Sequence, residues 1–371
     1  MSDTIAFIGA DVHDGVTLHQ NAALVCSHGT RAVMRAAQIP ADADIRRLRG
    51  GVICPAFVDL QVNGGGGVMF NDAQTPATLQ TMADAHARLG TGMFLPTLIT
   101  DTPDHTERAI AAVAQAGMAG IHLEGPHLSV ARKGAHDGTL IRPMKDADLA
   151  VLLHAKTQLA HVKVTVAPEN VTLAQIKAMH DAGIVVALGH TDAGYAQCMA
   201  AFDAGARCVT HLFNAMSQMT NRAPGLVGAA LSRDDVYVGV IADGIHVHPA
   251  SLAVALSAPR AKDRIFLVTD AMAPAGTDMT AFTLNGRRID RTDGRLTLSD
   301  GTLAGADLDL TTAIDVTVRS GGATLETAIA MATSVPAALL GAQDQLGNIT
   351  APSARVLHLQ TETLQPGFLD F

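Results

Sequence analysis

From Val162 to His211 the chain reads VKVTVAPENVTLAQIKAMHDAGIVVALGHTDAGYAQCMAAFDAGARCVTH. Three short apolar, β-branched runs stand out: Val162 to Val166, Ile184 to Leu188 and Cys208 to Thr210. Between them lie stretches of helical character. A strand buried on both faces reads as a continuous apolar run instead of an alternation, so the stretch reads as strand–helix–strand–helix–strand in a covered parallel sheet. The same rhythm extends outward. Val52 to Val62, Met93 to Ile99 and Ile121 to Leu123 precede it, and Tyr237 to Ile241 and Ile265 to Thr269 follow. The runs recur at a mean step of roughly 30 residues, the size of a βα unit. Eight such units predict a (β/α)8 TIM-like barrel. An open doubly wound sheet is the competing reading. The Gly-x-Gly-x-x-Gly loop of the dinucleotide-binding form of that fold does not follow the first run, and Gly64 to Gly67 is a bare glycine run.

The flanks read differently. Residues 1–53 carry short strands and turns, with turn signals at Asp14-Gly15 and Gly50-Gly51, and the tail from Leu346 turns β-like at Val356-Leu357-His358-Leu359. We expect 1–53 and 346–371 to pair into one small β domain, leaving 54–345 as the barrel. After the eighth run, Phe282 to Leu303 predicts a hairpin insertion with turns at Asn285-Gly286 and Asp293-Gly294. Two helices are expected next, over 307–320 and 324–340.

Composition narrows the function. The chain has 371 residues, with 26 Lys and Arg against 35 Asp and Glu, a net charge of −9. It has no basic footprint for nucleic acid. The 48 % apolar content supports a large core, and with 10 Phe, 2 Tyr and no Trp that core is aliphatic. No run of about 18 apolar residues predicts a membrane span, and the first residues lack the basic flank and apolar core of a signal peptide. Cys26, Cys54, Cys198 and Cys208 form no close-spaced motif, so a reducing, cytoplasmic setting is expected.

In such a barrel the chemistry sits where strands end. The third run ends His122-Leu123-Glu124, the fifth Gly189-His190, the sixth Thr210-His211 and the eighth Thr269-Asp270. Glu124, His190 and His211 suit one divalent metal, zinc above others: three protein ligands leave a fourth position for water, the mark of a catalytic site. Asp270 then serves as general base on that water. Taken singly, a histidine is more often structural than a ligand, and an aspartate is often a helix cap. All four fall at strand ends drawn from apolar runs alone, which is what lifts the metal reading.

The runs His122-Leu123-Glu124-Gly125-Pro126-His127, Gly189-His190-Thr191, Thr210-His211-Leu212-Phe213-Asn214-Ala215-Met216, Asp243-Gly244-Ile245-His246 and Thr269-Asp270-Ala271 occur in that order. Together, over about 55–340, they closely resemble the N-acetylglucosamine-6-phosphate deacetylases of the amidohydrolase superfamily. The resemblance implies a (β/α)8 barrel with a small β-sandwich from both termini, assembled as a homodimer. It implies hydrolysis of the N-acetyl group of N-acetyl-D-glucosamine 6-phosphate to glucosamine 6-phosphate and acetate. It assigns Glu124, His190 and His211 to the metal and Asp270 and His136 to catalysis, His136 polarising the acetyl carbonyl. Asn214, the Ala215 N–H, Arg222 and His246 are implied as contacts to the amino-sugar phosphate, with Arg222 supplied by the neighbouring subunit. Where most amidohydrolases end strand one with His-x-His, this chain has Gln61 and Asn63. These amides are poor zinc ligands, so one metal per subunit is expected and both amides face the substrate. The family closes with a further strand, whereas this chain stops at Gly367-Phe368-Leu369-Asp370-Phe371, so a β domain that is incomplete or differently closed is expected. The galacto epimer of the substrate stays open, as do another amidohydrolase of the D-aminoacylase or cyclic-amidase type and a non-catalytic sugar-phosphate sensor.

Overall fold

The computed structural model describes residues 3–258, 260, 262–352, 354–360 and 364–371. The leader expectation draws partly on Met1 and Ser2, which lie outside them. Eight parallel strands form one sheet in chain order: β1 (Phe57–Val62), β2 (Thr91–Ile99), β3 (Gly120–Glu124), β4 (His161–Val166), β5 (Val185–Leu188), β6 (Cys208–Val209), β7 (Tyr237–Val240) and β8 (Ile265–Leu267). Each of the eight expected runs supplies one strand of the barrel. The continuous apolar runs follow from burial on both faces: every residue of β1 and β3 is buried. Helices pack outside, and several start where the sequence stops them fraying. Thr75, Thr102 and Thr172 cap three of them, each side chain accepting an N–H of the first turn, with proline next in the first two. Such a cap is worth ~1 kcal/mol.

Among the described residues no ladder joins β8 to β1. The circle closes just past the strand ends: Asp270 N donates to Gln61 O (3.0 Å), and Asn63 N and Gly64 N donate to Ala271 O (2.8 and 3.1 Å). These bonds fall at the mouth, beside the residues singled out from sequence.

Two sheets at the chain ends pack face to face. One runs Thr30–Arg35, Ala22–Ser27, Thr4–Ile8, Asp44–Arg47; the other runs Pro366–Phe368, Val356–Leu359, Val52–Pro55, Asp11–His13, Leu18–His19. Phe7, Val12, Leu24, Ile53 and Val356 share the core between them. The tail pairs with the N-terminal segment as expected, in the register Leu357 to Cys54. Three expectations are corrected. Val52 to Val62 is two strands. Ala56 N still donates to Arg355 O in the terminal layer, whereas Phe57 N turns to Gly90 O in the barrel, so the chain changes partners at this point and the first strand runs across the 53/54 division. The closing strand is present: Pro366–Phe368 pairs antiparallel with Val356–Leu359, and Phe371 stacks edge-on against Phe7 at 5.7 Å. Finally, 324–340 holds two helices, Leu325–Ala332 and Ser334–Leu339. Pro336 has no N–H to give the carbonyl of Ala332, and the break falls at Thr333.

The insertion is a three-stranded antiparallel sheet, Ala281–Leu284, Arg287–Thr292 and Arg295–Leu298. Asn285-Gly286 and Asp293-Gly294 all have positive φ, the twist a tight hairpin needs. No helix among the described residues is long and apolar enough to cross a membrane.

Candidate active site

Glu124 ends β3, and His190 and His211 stand two residues beyond β5 and β6. Neighbouring ladders set the spacing, with Glu124 opposite Thr165 and Leu188 opposite Val209. Glu124 Oε1 lies 3.1 Å from His190 Nε2 and 3.1 Å from His211 Nε2, and the two nitrogens are 3.1 Å apart. Ligands ~2.0–2.1 Å from a tetrahedral zinc lie about 3.3–3.4 Å from one another, so this near-equilateral triangle fits one face of that tetrahedron. All three side chains are buried. His190 Nδ1 donates to the carbonyl of Arg132 at 2.8 Å, which orients the ring with Nε2 turned to the triangle. Among the described residues no hydrogen-bond partner meets His211 Nδ1. Burial works to raise the Glu124 carboxyl, but its bonds to both imidazoles override this and hold it well below the ordinary range. Burial works to lower His211, and its bond to Glu124 reverses the direction.

Asp270 faces this triangle from the seam. Asn63 Nδ2 donates to Asp270 Oδ1 at 2.6 Å. Gln61 Nε2 reaches Asp270 Oδ1 at 3.1 Å and Glu124 Oε2 at 3.2 Å, bridging the two carboxylates. The amides thus occupy the space between acid and base with N–H groups, while Gln61 Oε1 and Asn63 Oδ1 are buried without partners. Burial and the Glu124 charge raise the Asp270 carboxyl. His190, His211 and Asp270 all have left-handed backbone, at φ 48°, 32° and 52°. For residues with a Cβ this costs ~1–3 kcal/mol each and clusters where function over-determines the backbone.

His136 is buried beside them, its ring edge-on to His190 at 4.4 Å between centroids. Thr100 N donates to His136 Nδ1 (3.3 Å), and the Thr100 hydroxyl lies 2.8 Å from the same atom. A nitrogen that accepts an N–H carries no proton, so the ring is the Nε2–H tautomer. Burial lowers its pKa well below the ordinary value and keeps it neutral. Asn214, Ala215, His246 and Asn63 line the same pocket of about 530 Å³ with Glu124, His136, His190, His211 and Asp270. His246 Nδ1 is held by Asp243 Oδ2 at 2.6 Å. Gln61 sits below that lining, between the carboxylates. Arg222 is the residue the structure does not bring in: it is exposed on the loop before the helix Gly225–Leu231, outside the pocket lining.

Sequence reasoning missed the roof. Leu284, Gly301, Thr302, Leu303 and Gly305 of the insertion cover the pocket, and Arg287 donates to the carbonyl of Ala135, next to His136. Arg132 was missed as well. Its ion pair with Asp192 (2.8 Å) ties the loop after β3 to the loop after β5. The turn signals marked the insertion, but no local signal said that it folds over the mouth.

The amidohydrolase family model matches residues 52–352. The chain is 40 % identical to the N-acetylgalactosamine-6-phosphate deacetylase of Shewanella sp. strain ANA-3, over 92 % of this chain and 88 % of the relative. It is 34 % identical to the N-acetylglucosamine-6-phosphate deacetylase of Haemophilus influenzae, over 86 % and 84 %. The solved N-acetylglucosamine-6-phosphate deacetylase of Pasteurella multocida superimposes with a TM-score of 0.92 at 31 % identity, covering 99 % of this chain and 98 % of that one. A Mycobacterium smegmatis deacetylase variant, solved with N-acetyl-D-glucosamine 6-phosphate, gives 0.90 at 31 % identity, over 99 % and 98 %. With its barrel, its mouth-facing triangle of Glu124, His190 and His211 and these relatives, the chain belongs to the amidohydrolase family.

Proposed function

We propose that this pocket hydrolyses the acetamide of N-acetyl-D-glucosamine 6-phosphate to D-glucosamine 6-phosphate and acetate. The observation that carries the reading is the convergence of the ligand triangle, Asp270 and the Nε2–H of His136 in one pocket. Deacetylation of an amino-sugar phosphate agrees with the names of both relatives, which align over most of their length, and the gluco substrate with that of the Haemophilus influenzae enzyme. Glu124, His190 and His211 hold one divalent ion, zinc by donor set. Gln61 and Asn63 hold no second one, because their N–H groups are turned to the carboxylates. When bound, the ion polarises the acetyl carbonyl and lowers the pKa of the attacking water toward ~7.

Asp270 moves the proton. Its Oδ1 receives both amides, which leaves Oδ2 to take the proton from water and pass it to the leaving amine nitrogen. The departing amine must be protonated, so one carboxyl acts as base and then as acid. His136 donates Nε2–H to the oxyanion that develops on the carbonyl oxygen. Asn214, the Ala215 N–H and His246 orient the sugar phosphate, and the buried Oδ1 of Asn63, which lines the pocket, accepts from the water or the amine. The phosphate is remote from the reacting carbon, so its binding energy aligns the amide. Arg222, exposed and outside the lining of its own pocket, reaches the phosphate in the partner's site of a homodimer. Its planar fork suits phosphate. The four free, buried cysteines suit a reducing cytoplasm.

A second reading, the galacto epimer, is favoured by the 40 % identical relative. Acetate release from both N-acetylhexosamine 6-phosphates and from the unphosphorylated sugars tests the proposal. Release confined to phosphorylated sugars supports it, and the kcat/KM ratio of the two epimers decides between them. No release from any of them rejects it.

A further inference from the structure

The turn that carries Asp270 hangs on the seam between β8 and β1, where no ladder joins the strands among the described residues. What fastens it there is a buried side chain of β1, Asp59, which has no solvent exposure. The Thr269 hydroxyl donates to Asp59 Oδ2 at 2.5 Å. The backbone N–H groups of Gln61 and Thr269 converge on Oδ1 at 3.2 and 3.3 Å. The same Thr269 hydroxyl accepts the N–H of Ala271 at 3.2 Å. The side chain of one neighbour of Asp270, Thr269, therefore grips the other neighbour, Ala271, and is itself gripped by Asp59. Asp270 N donates to Gln61 O, Ala306 N donates to Asp270 O at 2.9 Å, and the residue is held at φ 52°. A carboxylate suits the station, because only an acceptor with several lone pairs can meet two N–H groups and one O–H at once. Such a group, buried where it touches no pocket space, is otherwise an expensive choice.

We propose that Asp59 is a positioning residue for the hydrolysis, acting through Thr269 to aim the Asp270 carboxylate at the attacking water and the leaving nitrogen. The inference rests on the reading of Asp270 as the proton-transfer group. Reacting groups displaced by about 1 Å lose roughly 10²-fold in rate. The lesion belongs in kcat, because neither residue touches the ligand triangle or lines the pocket.

The experiment compares Asp59→Ala, Asp59→Asn, Thr269→Val, Thr269→Ser and the Asp59→Ala/Thr269→Val double variant as full-length protein. It measures metal per chain by elemental analysis, affinity for glucosamine 6-phosphate by calorimetry, and kcat and KM for acetate release. Asp59→Ala and Thr269→Val are expected to keep metal content, product affinity and KM while kcat falls by ~10²-fold. The double variant falls no further than either single, because both cut one chain of bonds. Thr269→Ser, which keeps the hydroxyl, recovers most of the rate, and Asp59→Asn, which keeps the acceptor for the N–H groups but not the one for the Thr269 O–H, recovers less. Unchanged kcat, loss of metal in step with loss of rate, or a fully additive double variant overturns the proposal. Should Asp59→Ala fail to fold, the Val and Ser variants of Thr269 decide on the same criteria. An unmutated protein that releases no acetate rejects the functional reading itself; active protein with unaltered Thr269→Val kinetics rejects only the role of Asp59.

Discussion

The mouth of the barrel is built in two ways. On the arc from β3 to β6, Glu124, His190 and His211 extend from strands joined by continuous backbone ladders. On the seam between β8 and β1, Asp270, Gln61 and Asn63 are held by isolated backbone bonds and a side-chain staple. The contrast follows from the work proposed for each. A metal needs three atoms at fixed mutual distances, and a hydrogen-bonded sheet fixes them to a few tenths of an ångström. A proton-transfer group must serve two positions in turn, water and then amine, and a turn held by side chains can be aimed without being part of the sheet. Both regions accept left-handed backbone at residues with a Cβ, so local strain does not separate them. The mode of attachment does.

Substitutions on the two sides should separate metal from rate, and here the largest effect is expected. Asp270→Asn keeps about one metal per chain and loses kcat by ~10⁴-fold or more, at or beyond the upper end for general acid–base help because one group serves both steps. His190→Ala and His211→Ala lose metal and activity together. Elemental analysis beside acetate assays checks both. An Asp270→Asn protein without metal would make Asp270 a ligand and erase the distinction between arc and seam. Next in size is His136→Phe, which removes the Nε2–H donor and keeps the ring. A loss of ~10²–10³-fold in kcat with little change in KM is expected for an oxyanion donor. A loss carried by KM would make His136 a ground-state contact.

How much of this could be read from the chain depended on contrast along the sequence. Glu124, His190, His211 and Asp270 were legible because each is a polar group that ends a continuous apolar run, and the barrel register follows from the runs themselves. The split of Val52 to Val62 was not legible, since both halves are apolar and only the change of hydrogen-bond partner at Ala56 divides them. The roof formed by Gly301 to Gly305 could not be read, because a hairpin signal fixes a turn and not the surface on which the turn lands. Asp59, inside β1, and Thr269, just past β8, lay in plain view. Their meaning depends on an encounter across 210 positions of chain, which no local pattern encodes.

The role proposed for Arg222 would extend the comparison beyond one chain, with a smaller effect. Arg222→Ala should raise KM for the phosphorylated substrate by about 10–100-fold, the order of one charge-assisted bidentate contact. Turnover of an unphosphorylated sugar should barely change. Mixing it with Asp270→Asn and letting subunits re-assort tests the partner's role. The Arg222→Ala chain keeps its own Asp270 and borrows Arg222 from its neighbour, so activity at low substrate rises above either parent. No recovery, with exchange verified by native mass spectrometry, would return Arg222 to its own chain and confine the site to one barrel.

The smallest effect concerns the staple and is read in stability. Burial pushes the Asp59 carboxyl from the ordinary 3.8 up to about 7, against the hydrogen bonds from Thr269 and Gln61 that pull it down. A carboxyl raised on folding binds its proton more tightly in the folded state than in the unfolded one. Its contribution to stability is therefore complete below the unfolded value near 3.8 and is lost as pH rises through about 7. Asp59→Asn carries no such proton. The melting temperature of Asp59→Asn relative to the unmutated protein should accordingly climb between about pH 4 and about pH 7 and level off above, when both are scanned in matched salt. The sign discriminates. A difference that falls over the same interval would mean that the folded seam favours the ionised carboxylate, the donors having overcome burial. The seam would then be held by charge-assisted bonds at neutral pH, and its attachment would be as firm as the ladders of the arc. A rising difference makes the base side of the mouth the softer of the two.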